Sequence, residues 1–236
     1  FYQPFYNLQS GRLQGFEALA RRRGLDGRPQ VPAAFFAAAE STGSMRAIDL
    51  RILDDALAHL AQWLHTEPRR ELILSVNLSW DFVDHPEFVT DVTATLTRHQ
   101  VPADRLLVDL PTSTFRHLVT TDEDALARLC RLQEREISFC LDGFTADDLD
   151  VLPDAASVPV DIIKLHPRQL ATDIGPLADL AQAVQDAGLP VVAAGVETSR
   201  QLDLVLELGF EWAQGFLLGE PTEADSALAH AASLPL

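Results

Sequence analysis

The amino-acid sequence predicts an α/β fold in which a parallel sheet closes into a (β/α)8 TIM-like barrel. Short apolar runs alternate with longer amphipathic segments almost to the end of the chain, as strands and helices do in such folds. The strand candidates are nearly continuous apolar runs, which indicates a sheet buried on both faces. A doubly wound sheet and a barrel both fit this pattern. The length of 236 residues lies close to the ~250 residues of typical barrels and favours the barrel.

The predicted elements follow one another regularly. The strands are predicted, in order, at YQPFYNL, LQGFEALA, LILSVNLS, RLLVDLP, ISFCLDGF, VDIIKLH, PVVAAGV and AQGFLLG. Apolar residues at helical spacing predict helices over residues 32–41, 46–64, 86–99, 123–135, 174–187, 199–208 and 223–233. The turn-like residues SGR lie between the first two strands, and so short a connection joins antiparallel neighbours. We therefore expect a modified barrel with an antiparallel first strand.

A single domain is expected over residues 1–236. No Gly/Ser-rich or Pro-rich linker divides the chain, and the sequence contains no internal repeat. The sequence begins inside the first predicted strand, so we expect this domain to be one part of a longer, multidomain protein.

Composition limits the environments and the partners that are possible for the domain. The formal net charge of −17 opposes binding to the phosphate backbone of duplex nucleic acid. No apolar run approaches the roughly 20 residues that span a bilayer, and the first residues lack the order of a signal peptide. Cys130 and Cys140 have neither the number nor the spacing of a disulfide framework or a zinc site. We expect a soluble, cytoplasmic domain, with membrane tethering through a segment outside this sequence left open.

Polar residues lie at the C-terminal ends of the predicted strands, where the loops of a parallel barrel build active sites. These residues are Glu17, Asn77, Asp109, Asp142, Lys164, Glu197 and Gln214. Carboxylate and amide oxygens that converge at one barrel mouth are ligands suited to Mg²⁺ or Mn²⁺. Each residue could instead cap a helix or end a solvated loop. The pattern alone therefore leaves a metal-dependent enzyme and ordinary loop ends as alternatives.

Seven short segments carry a resemblance to a known family. They are FEALAR at 16–21, VPAAFFAAAESTG at 31–43, SVNLS at 75–79, LDGF at 141–144, VDIIK at 160–164, VVAAGVET at 191–198 and QGFLLGEP at 214–221. In these segments, and in their order, the chain resembles the EAL-domain family over nearly its whole length. The resemblance implies a cyclic di-GMP phosphodiesterase-like domain, built as a modified (β/α)8 barrel whose first strand runs antiparallel. It supports the family more strongly than the activity.

The resemblance implies a set of metal ligands. Glu17, Asn77 and Asp142 match ligands of the family, and Asp109 stands where the family usually has a glutamate. Because aspartate is one methylene shorter and Mg²⁺ demands near-ideal octahedral distances, we expect weaker metal binding. Gly143 replaces a second aspartate that serves a second metal in the family. We therefore expect at most one weakly bound Mg²⁺ or Mn²⁺ ion.

The resemblance also implies contacts with the nucleotide and with the attacking water. Arg21 matches an arginine that contacts a phosphate, and Gln214 resembles a residue that contacts a guanine edge. Lys164 matches the lysine that positions the water, and Glu197 is expected near that water. Ala194 replaces the glutamate that is thought to activate the water.

Further departures from the family fall on the same chemistry. Thr112 replaces a second glutamate that anchors the metal-site loop, and His166 stands where an aspartate usually follows the lysine. The loop after Gly143 is shortened. Asp147 and Asp148 lie in this loop, where we expect them to be first-turn acids of a short helix rather than replacement ligands.

These changes spare the scaffold, so we predict an EAL-type signalling domain that is catalytically impaired or inactive. Such a domain would sense cyclic di-GMP, bound weakly, or contact a protein partner. The alternative is an active phosphodiesterase that hydrolyses cyclic di-GMP to pGpG, and a third possibility is a barrel kept only as a structural platform. Expected partners are a second copy of the chain or a signalling domain such as a GGDEF or sensor domain.

Overall fold

The computed structural model describes residues 1–23, 29–30, 33–67, 71–121, 123–155, 159–171 and 174–232. Its strands are β1 (Tyr2–Asn7), β2 (Arg12–Ala18), β3 (Arg22–Arg23), β4 (Pro29–Gln30), β5 (Ile73–Asn77), β6 (Leu106–Pro111), β7 (Ser138–Phe144), β8 (Ile162–Leu165), β9 (Val191–Ala193) and β10 (Trp212–Gln214). Its α-helices are α1 (Ala33–Ser41), α2 (Met45–Thr66), α3 (Trp80–Val83), α4 (Phe88–His99), α5 (Thr112–Thr121), α6 (Glu123–Gln133), α7 (Leu152–Ala155), α8 (Ile174–Asp186), α9 (Ser199–Glu207) and α10 (Ala224–Ala232). Short 3-10 helices cover Ala103–Arg105, Ala146–Val151 and Pro167–Ala171.

Strands of the described ranges close into a barrel of eight, in the order β1-β10-β9-β8-β7-β6-β5-β2. Strand β1 runs antiparallel to both of its neighbours, β10 and β2, whereas every other neighbouring pair in the barrel is parallel. Strands β3 and β4 pair with each other outside the barrel. The predicted α/β barrel with an antiparallel first strand is confirmed.

A tight turn reverses the chain between β1 and β2. The Oδ1 atom of Asn7 accepts hydrogen bonds from the backbone N–H of Ser10 at 2.8 Å and from the Ser10 hydroxyl at 2.9 Å. This Asn bond to the backbone closes a turn without help from the rest of the fold. Gly11 follows with a φ of 64°, in the left-handed region that glycine adopts without steric cost. Local chemistry therefore sets the antiparallel pairing of β1 with β2.

Apolar side chains pack on both faces of the sheet. Outside the barrel, helices cover the strands with side chains such as Leu57 of α2, which is fully buried. Inside the barrel, Leu107, Cys140, Ile162 and Val192 form a smaller buried cluster. A strand that is buried on both faces has no polar side to alternate with its apolar one. This explains why the strand sequences are nearly continuous apolar runs.

Each of the seven predicted ranges matches an observed helix to within two residues at both ends, whereas the short helices α3 and α7 were not predicted. Helix α5 was not predicted, because it starts at Thr112 directly after β6, without a loop, and is rich in threonine, a weak helix former. The last strand is shorter than predicted. It ends at Gln214, after which the backbone N–H of Leu218 bonds to the carbonyl of Gly215 at 3.0 Å and the chain turns.

Gly15 lets β2 approach β5 closely, because a Cβ atom at this position would lie 1.9 Å from the backbone oxygen of Ile73. We predict that Gly15→Ala lowers the free energy of unfolding by about 1–3 kcal/mol or more, since the backbone of β2 or β5 must move to admit the methyl group. Urea unfolding followed by circular dichroism measures this change.

The matched control for this prediction is Gly175→Ala in α8. No atom lies within 4 Å of a Cβ placed there, and alanine is favoured in a helix by up to about 1 kcal/mol. The control should therefore be neutral or stabilising. A Gly15→Ala variant as stable as the wild-type chain would show that the strands do not need this close approach.

Candidate functional site

A buried ammonium group lies at the centre of the candidate site. Lys164, the only lysine of the chain, belongs to β8 and is 5% exposed. Its Nζ lies 2.5 Å from Asp109 Oδ2, 3.4 Å from Glu17 Oε2 and 3.6 Å from Asp142 Oδ1. These carboxylates come from β6, β2 and β7, and we call the four residues the Lys164 cluster. Its three carboxylates and one ammonium leave a formal charge of −2.

Hydrogen bonds engage both carboxylate oxygens of Glu17. Oε1 accepts from Asn77 Nδ2 at 2.8 Å, and Oε2 accepts from Gln214 Nε2 at 2.9 Å in addition to Lys164. Gln214 Nε2 also donates to Gln3 Oε1 at 3.2 Å. Groups on β5, β8 and β10 therefore orient Glu17, with Gln3 of β1 next to them.

Asp109 is the most deeply buried carboxylate of the cluster, with 0% of its surface exposed. Its Oδ2 accepts from the Ser75 hydroxyl at 2.6 Å and from Lys164. Its Oδ1 is buried and has no hydrogen-bond partner within the described part of the chain. A buried, unpaired carboxylate oxygen is costly unless a donor or a cation satisfies it.

The charges of the cluster shift one another's pKa values. Burial alone would lower the pKa of Lys164, but the carboxylates of Asp109, Glu17 and Asp142 outweigh it and raise that pKa well above the usual value. Burial would raise the pKa of Glu17, but the Lys164 ammonium and hydrogen bonds from Asn77 outweigh it and lower that pKa. Burial raises the pKa of Asp109 to about 6, although Lys164 opposes the shift. Lys164 is therefore a stable cation at neutral pH.

Strand register explains why these side chains meet. Alternate residues of a strand point to the same face, and the sheet places Asn77 opposite Asp109 and Asp142 opposite Lys164. Residues distant in sequence therefore line one mouth of the barrel. The predicted site residues that the structure brings into contact are Glu17, Asn77, Asp109, Asp142, Lys164 and Gln214.

Two predicted site residues lie apart from this group of contacts. Glu197 is exposed, and its backbone N–H donates to Gln201 Oε1 at 2.9 Å, at the start of α9. Arg21 lies beyond the end of β2, where its Nη1 donates to the carbonyl of Ala20 at 2.9 Å. Arg21 lines a cleft of about 430 Å³ beside α2. In the described ranges neither side chain bonds to the Lys164 cluster, so their assigned roles stay predictions.

The segment that follows the cluster on β7 offers no second carboxylate to it. Gly143 lies in a bulge of β7 with a φ of 75°. Asp148 accepts hydrogen bonds from the backbone N–H and hydroxyl of Thr145, and it pairs with Arg116 at 3.1 Å. Asp147 and Asp148 lie in the first turn of the short helix Ala146–Val151, as predicted.

Sequence reasoning missed two polar residues that support the cluster. Ser75 lies two residues before Asn77 on β5, so strand alternation could have placed both on the inner face. Gln3 pairs with Glu17 in the register of β1 and β2, and that register depends on an irregularity between Phe5 and Tyr6 that the sequence does not reveal.

Comparison with known proteins gives the family. Residues 1–221 match the EAL domain family. The chain belongs to this family. The curated Pseudomonas aeruginosa protein MucR, a bifunctional diguanylate cyclase/cyclic di-GMP phosphodiesterase, is 29% identical over 245 residues, which cover 98% of this chain and 34% of MucR. The chain spans about a third of the length of the first curated relatives that it matches.

Solved structures agree with this EAL assignment. The PaMucR phosphodiesterase in complex with c-di-GMP has a TM-score of 0.84 and 26% identity, covering 95% of this chain and 92% of that chain. The FimX EAL domain from Pseudomonas aeruginosa, bound to c-di-GMP, has a TM-score of 0.79, covering 94% of this chain and 89% of that chain. At 19% identity, the FimX likeness shows the fold alone. Among the described helices of this EAL domain, none is both long and apolar enough to cross a membrane.

The oxygen donors of the site are of the type that binds a divalent cation, but an ammonium lies among them. In the ranges that the structure describes, no three His, Cys, Asp or Glu side chains are grouped to hold a metal ion, and the Lys164 ammonium lies among the carboxylates instead. The oxygen donors, the charge of −2 and the unpartnered Asp109 Oδ1 suit one such ion. Gly143 has no side chain to ligate a second.

Asp49 of α2 holds the loop that follows Asn77. Its Oδ2 accepts hydrogen bonds from the backbone N–H of Ser79 at 3.0 Å and from the Ser79 hydroxyl. Asp49 is only 3% exposed. Burial raises the pKa of its carboxyl to about 6, although the hydrogen bonds from Ser79 oppose the shift.

The raised pKa of Asp49 predicts a pH-dependent stability. Between pH 3.8 and about 6 the folded chain holds this proton more tightly than the unfolded chain, so the contribution of Asp49 to stability grows as the pH falls through this window. We predict that Asp49→Asn removes a gain of about 2–3 kcal/mol in the free energy of unfolding between pH 7 and pH 4. Urea unfolding across this range measures it, with the exposed Asp203→Asn as control. Parallel profiles for wild type and Asp49→Asn would contradict the burial argument.

Proposed function

We propose that this EAL domain binds cyclic di-GMP at its barrel mouth as a signalling module, and that it hydrolyses the nucleotide slowly or not at all. The observation that supports this proposal is the Lys164 cluster, which gathers oxygen ligands for one cation beside a Gly143 that offers none for a second. The ligand is supported by the c-di-GMP complex of the PaMucR phosphodiesterase.

One Mg²⁺ or Mn²⁺ ion is proposed to bind weakly through Glu17, Asn77, Asp109 and Asp142. When bound, such an ion would act as a Lewis acid on a phosphate oxygen. Two features support weak binding. The ion has to compete with the Lys164 ammonium for the same carboxylates, and Asp109 is fully buried on a short side chain.

Gln214 and Arg21 are proposed to contact the nucleotide, at a guanine edge and at a phosphate respectively. The Gln214 amide already donates to Glu17 and Gln3, so contact through its Nε2 requires one of these bonds to be exchanged. Arg21 uses one guanidinium nitrogen on the carbonyl of Ala20 and has further donors in its planar fork. The exchange that Gln214 requires is consistent with modest affinity.

Slow hydrolysis follows from the groups that could act on the attacking water. The raised pKa of Lys164 keeps it protonated, so it can hold a water or a phosphate oxygen but cannot remove a proton. Ala194 has no ionisable group, and Glu197, the residual candidate base, is exposed and makes no hydrogen bond to the Lys164 cluster in the described ranges. Loss of a general base typically costs ~10²–10⁴ in rate.

An active phosphodiesterase that produces pGpG is the second candidate. It is favoured by the contacts that join Asn77 and Lys164 to Glu17 and Lys164 to Asp142, and by the 29% identity with MucR. The two candidates share the binding site and differ in turnover.

The wider protein is a separate proposal, because the chain spans about a third of the curated relatives. The bifunctional name of MucR supports a GGDEF or other signalling domain as partner. We also propose that a second copy of the chain is a partner and that the domain lies in the cytoplasm. Both are proposals about the wider protein.

Calorimetry and product analysis on one preparation test the proposed function. We predict saturable binding of cyclic di-GMP in Mg²⁺ or Mn²⁺, weakened by a chelator, and formation of pGpG at least ~10²-fold slower than by the MucR phosphodiesterase domain assayed in parallel. Glu17→Gln should weaken metal-dependent binding about tenfold or more, since it removes a ligand charge. Asp147→Asn, whose side chain is 90% exposed, is the matched control and should bind normally.

The outcomes separate the candidates. Turnover equal to that of the MucR domain would establish an active phosphodiesterase in place of the impaired one. No binding of cyclic di-GMP, with or without metal, would refute both and leave the barrel as a structural platform.

A further inference from the structure

We propose that His166 binds the nucleotide, through a hydrogen bond from its Nε2–H to a non-bridging phosphate oxygen of the ligand at the barrel mouth. This inference rests on the proposed function. It adds a phosphate contact from the end of β8 to those expected from Arg21.

His166 lies above Lys164 at the mouth. It follows the last residue of β8 and stands two positions after Lys164, so strand alternation places it on the inner side. The backbone N–H of His166 donates to the carbonyl of Phe144 at 2.9 Å, which ties it to the end of β7. Its side chain is exposed, whereas that of Lys164 is buried. The His166 side chain is therefore accessible to a ligand at this end of the barrel.

A backbone hydrogen bond fixes which ring nitrogen of His166 can donate. Nδ1 accepts from the backbone N–H of Arg168 at 3.1 Å. A neutral imidazole carries one proton, so with Nδ1 as acceptor the proton is on Nε2. Nε2 makes no hydrogen bond within the residues that the structure describes. His166 therefore presents one oriented donor.

Gly143 leaves room beside this donor. If a Cβ atom were placed on Gly143, the nearest neighbouring atom would be His166 Cδ2 at 4.0 Å. Cδ2 is bonded to Nε2, so the donor edge of the ring lies beside a residue without a side chain. An acidic side chain on Gly143 would compete with a ligand for the Nε2–H.

A phosphate that reaches the mouth needs a hydrogen-bond donor there, because the charge of the Lys164 cluster opposes its approach. The Lys164 cluster has a formal charge of −2 and repels an approaching phosphodiester. A donor at the rim offsets part of that repulsion where the oxygen arrives. Hydrogen bonds between a charged and a neutral group are stronger than neutral pairs.

Calorimetry with cyclic di-GMP on single variants tests the proposal. We expect His166→Ala to raise the dissociation constant about tenfold, as expected for the loss of one hydrogen bond to a charged group. His166→Gln should recover part of the loss, because its amide Nε2 can donate from a similar position. The matched control is His85→Ala, since His85 Nδ1 also accepts a backbone N–H, from Glu87 at 3.2 Å, in the turn between α3 and α4.

Arg168→Ala separates a specific hydrogen bond from a general attraction by positive charge. This variant removes the guanidinium and keeps the backbone N–H that orients His166, so binding should change less than about threefold. A phosphorothioate analogue of cyclic di-GMP, with sulfur in place of a non-bridging oxygen, gives a second readout. It should weaken binding to the wild type more than to His166→Ala, because sulfur is the poorer acceptor.

Each result decides a defined point. Wild-type binding that is unchanged in His166→Ala, with the same phosphorothioate effect in both proteins, would overturn the inference and leave the proposed function standing. A loss in Arg168→Ala equal to that in His166→Ala would also overturn it, in favour of unspecific charge attraction. Failure of the wild type to bind would overturn the proposed function and this inference together.

Discussion

The pairing of one buried ammonium with three carboxylates constrains the whole mouth of the barrel. Each carboxylate comes from a different strand, and Lys164 contributes from a fourth. Charges in such a place are costly unless they are paired in good geometry, and removal of one partner leaves the others unbalanced. The register of β2, β6, β7 and β8 and the identities of these side chains are therefore one linked requirement.

The scaffold and the charged mouth of this domain depend on different interactions, so they tolerate different substitutions. The barrel depends on apolar strands and on close approaches such as that of Gly15 to Ile73. The mouth depends on the pairing of its charges, and the Lys164 cluster keeps its ion pairs without a side chain at Gly143 or an ionisable group at Ala194. A barrel of this kind can keep a nucleotide site while losing groups that serve the reaction. The proposed signalling role depends on this difference between groups that bind the nucleotide and groups that serve the reaction.

Much of the fold could be predicted from the sequence because its causes are local. Continuous apolar runs identified the strands, and the SGR connection identified the antiparallel hairpin that Asn7 and Ser10 close. Six strand-end residues met as expected, since parallel strands present their C-terminal ends on one side. Helix α5 escaped prediction because it follows β6 without a loop and is rich in threonine, a weak helix former.

The remaining parts of the site depend on contacts that sequence position does not specify. The exposure of Glu197 follows from the turn that precedes α9, where Gln201 accepts its backbone N–H. The hydrogen bond from Ser75 to Asp109 joins neighbouring strands whose register becomes fixed only when the barrel closes. The position of Arg21 likewise depends on the backbone that leaves β2, where its Nη1 donates to the carbonyl of Ala20.

The most direct test of the charge cluster uses the single lysine. Because Lys164 is the only lysine of the chain, isotope-labelled lysine gives one side-chain NMR signal that reports on the cluster alone. We predict that the Lys164 ammonium is protected from solvent and stays protonated above the usual lysine pKa. Its signal should shift when Mg²⁺ is added and stop shifting at one ion per chain. A signal typical of a solvent-exposed lysine, or saturation only at two ions per chain, would contradict a buried ammonium that organises a single-cation site.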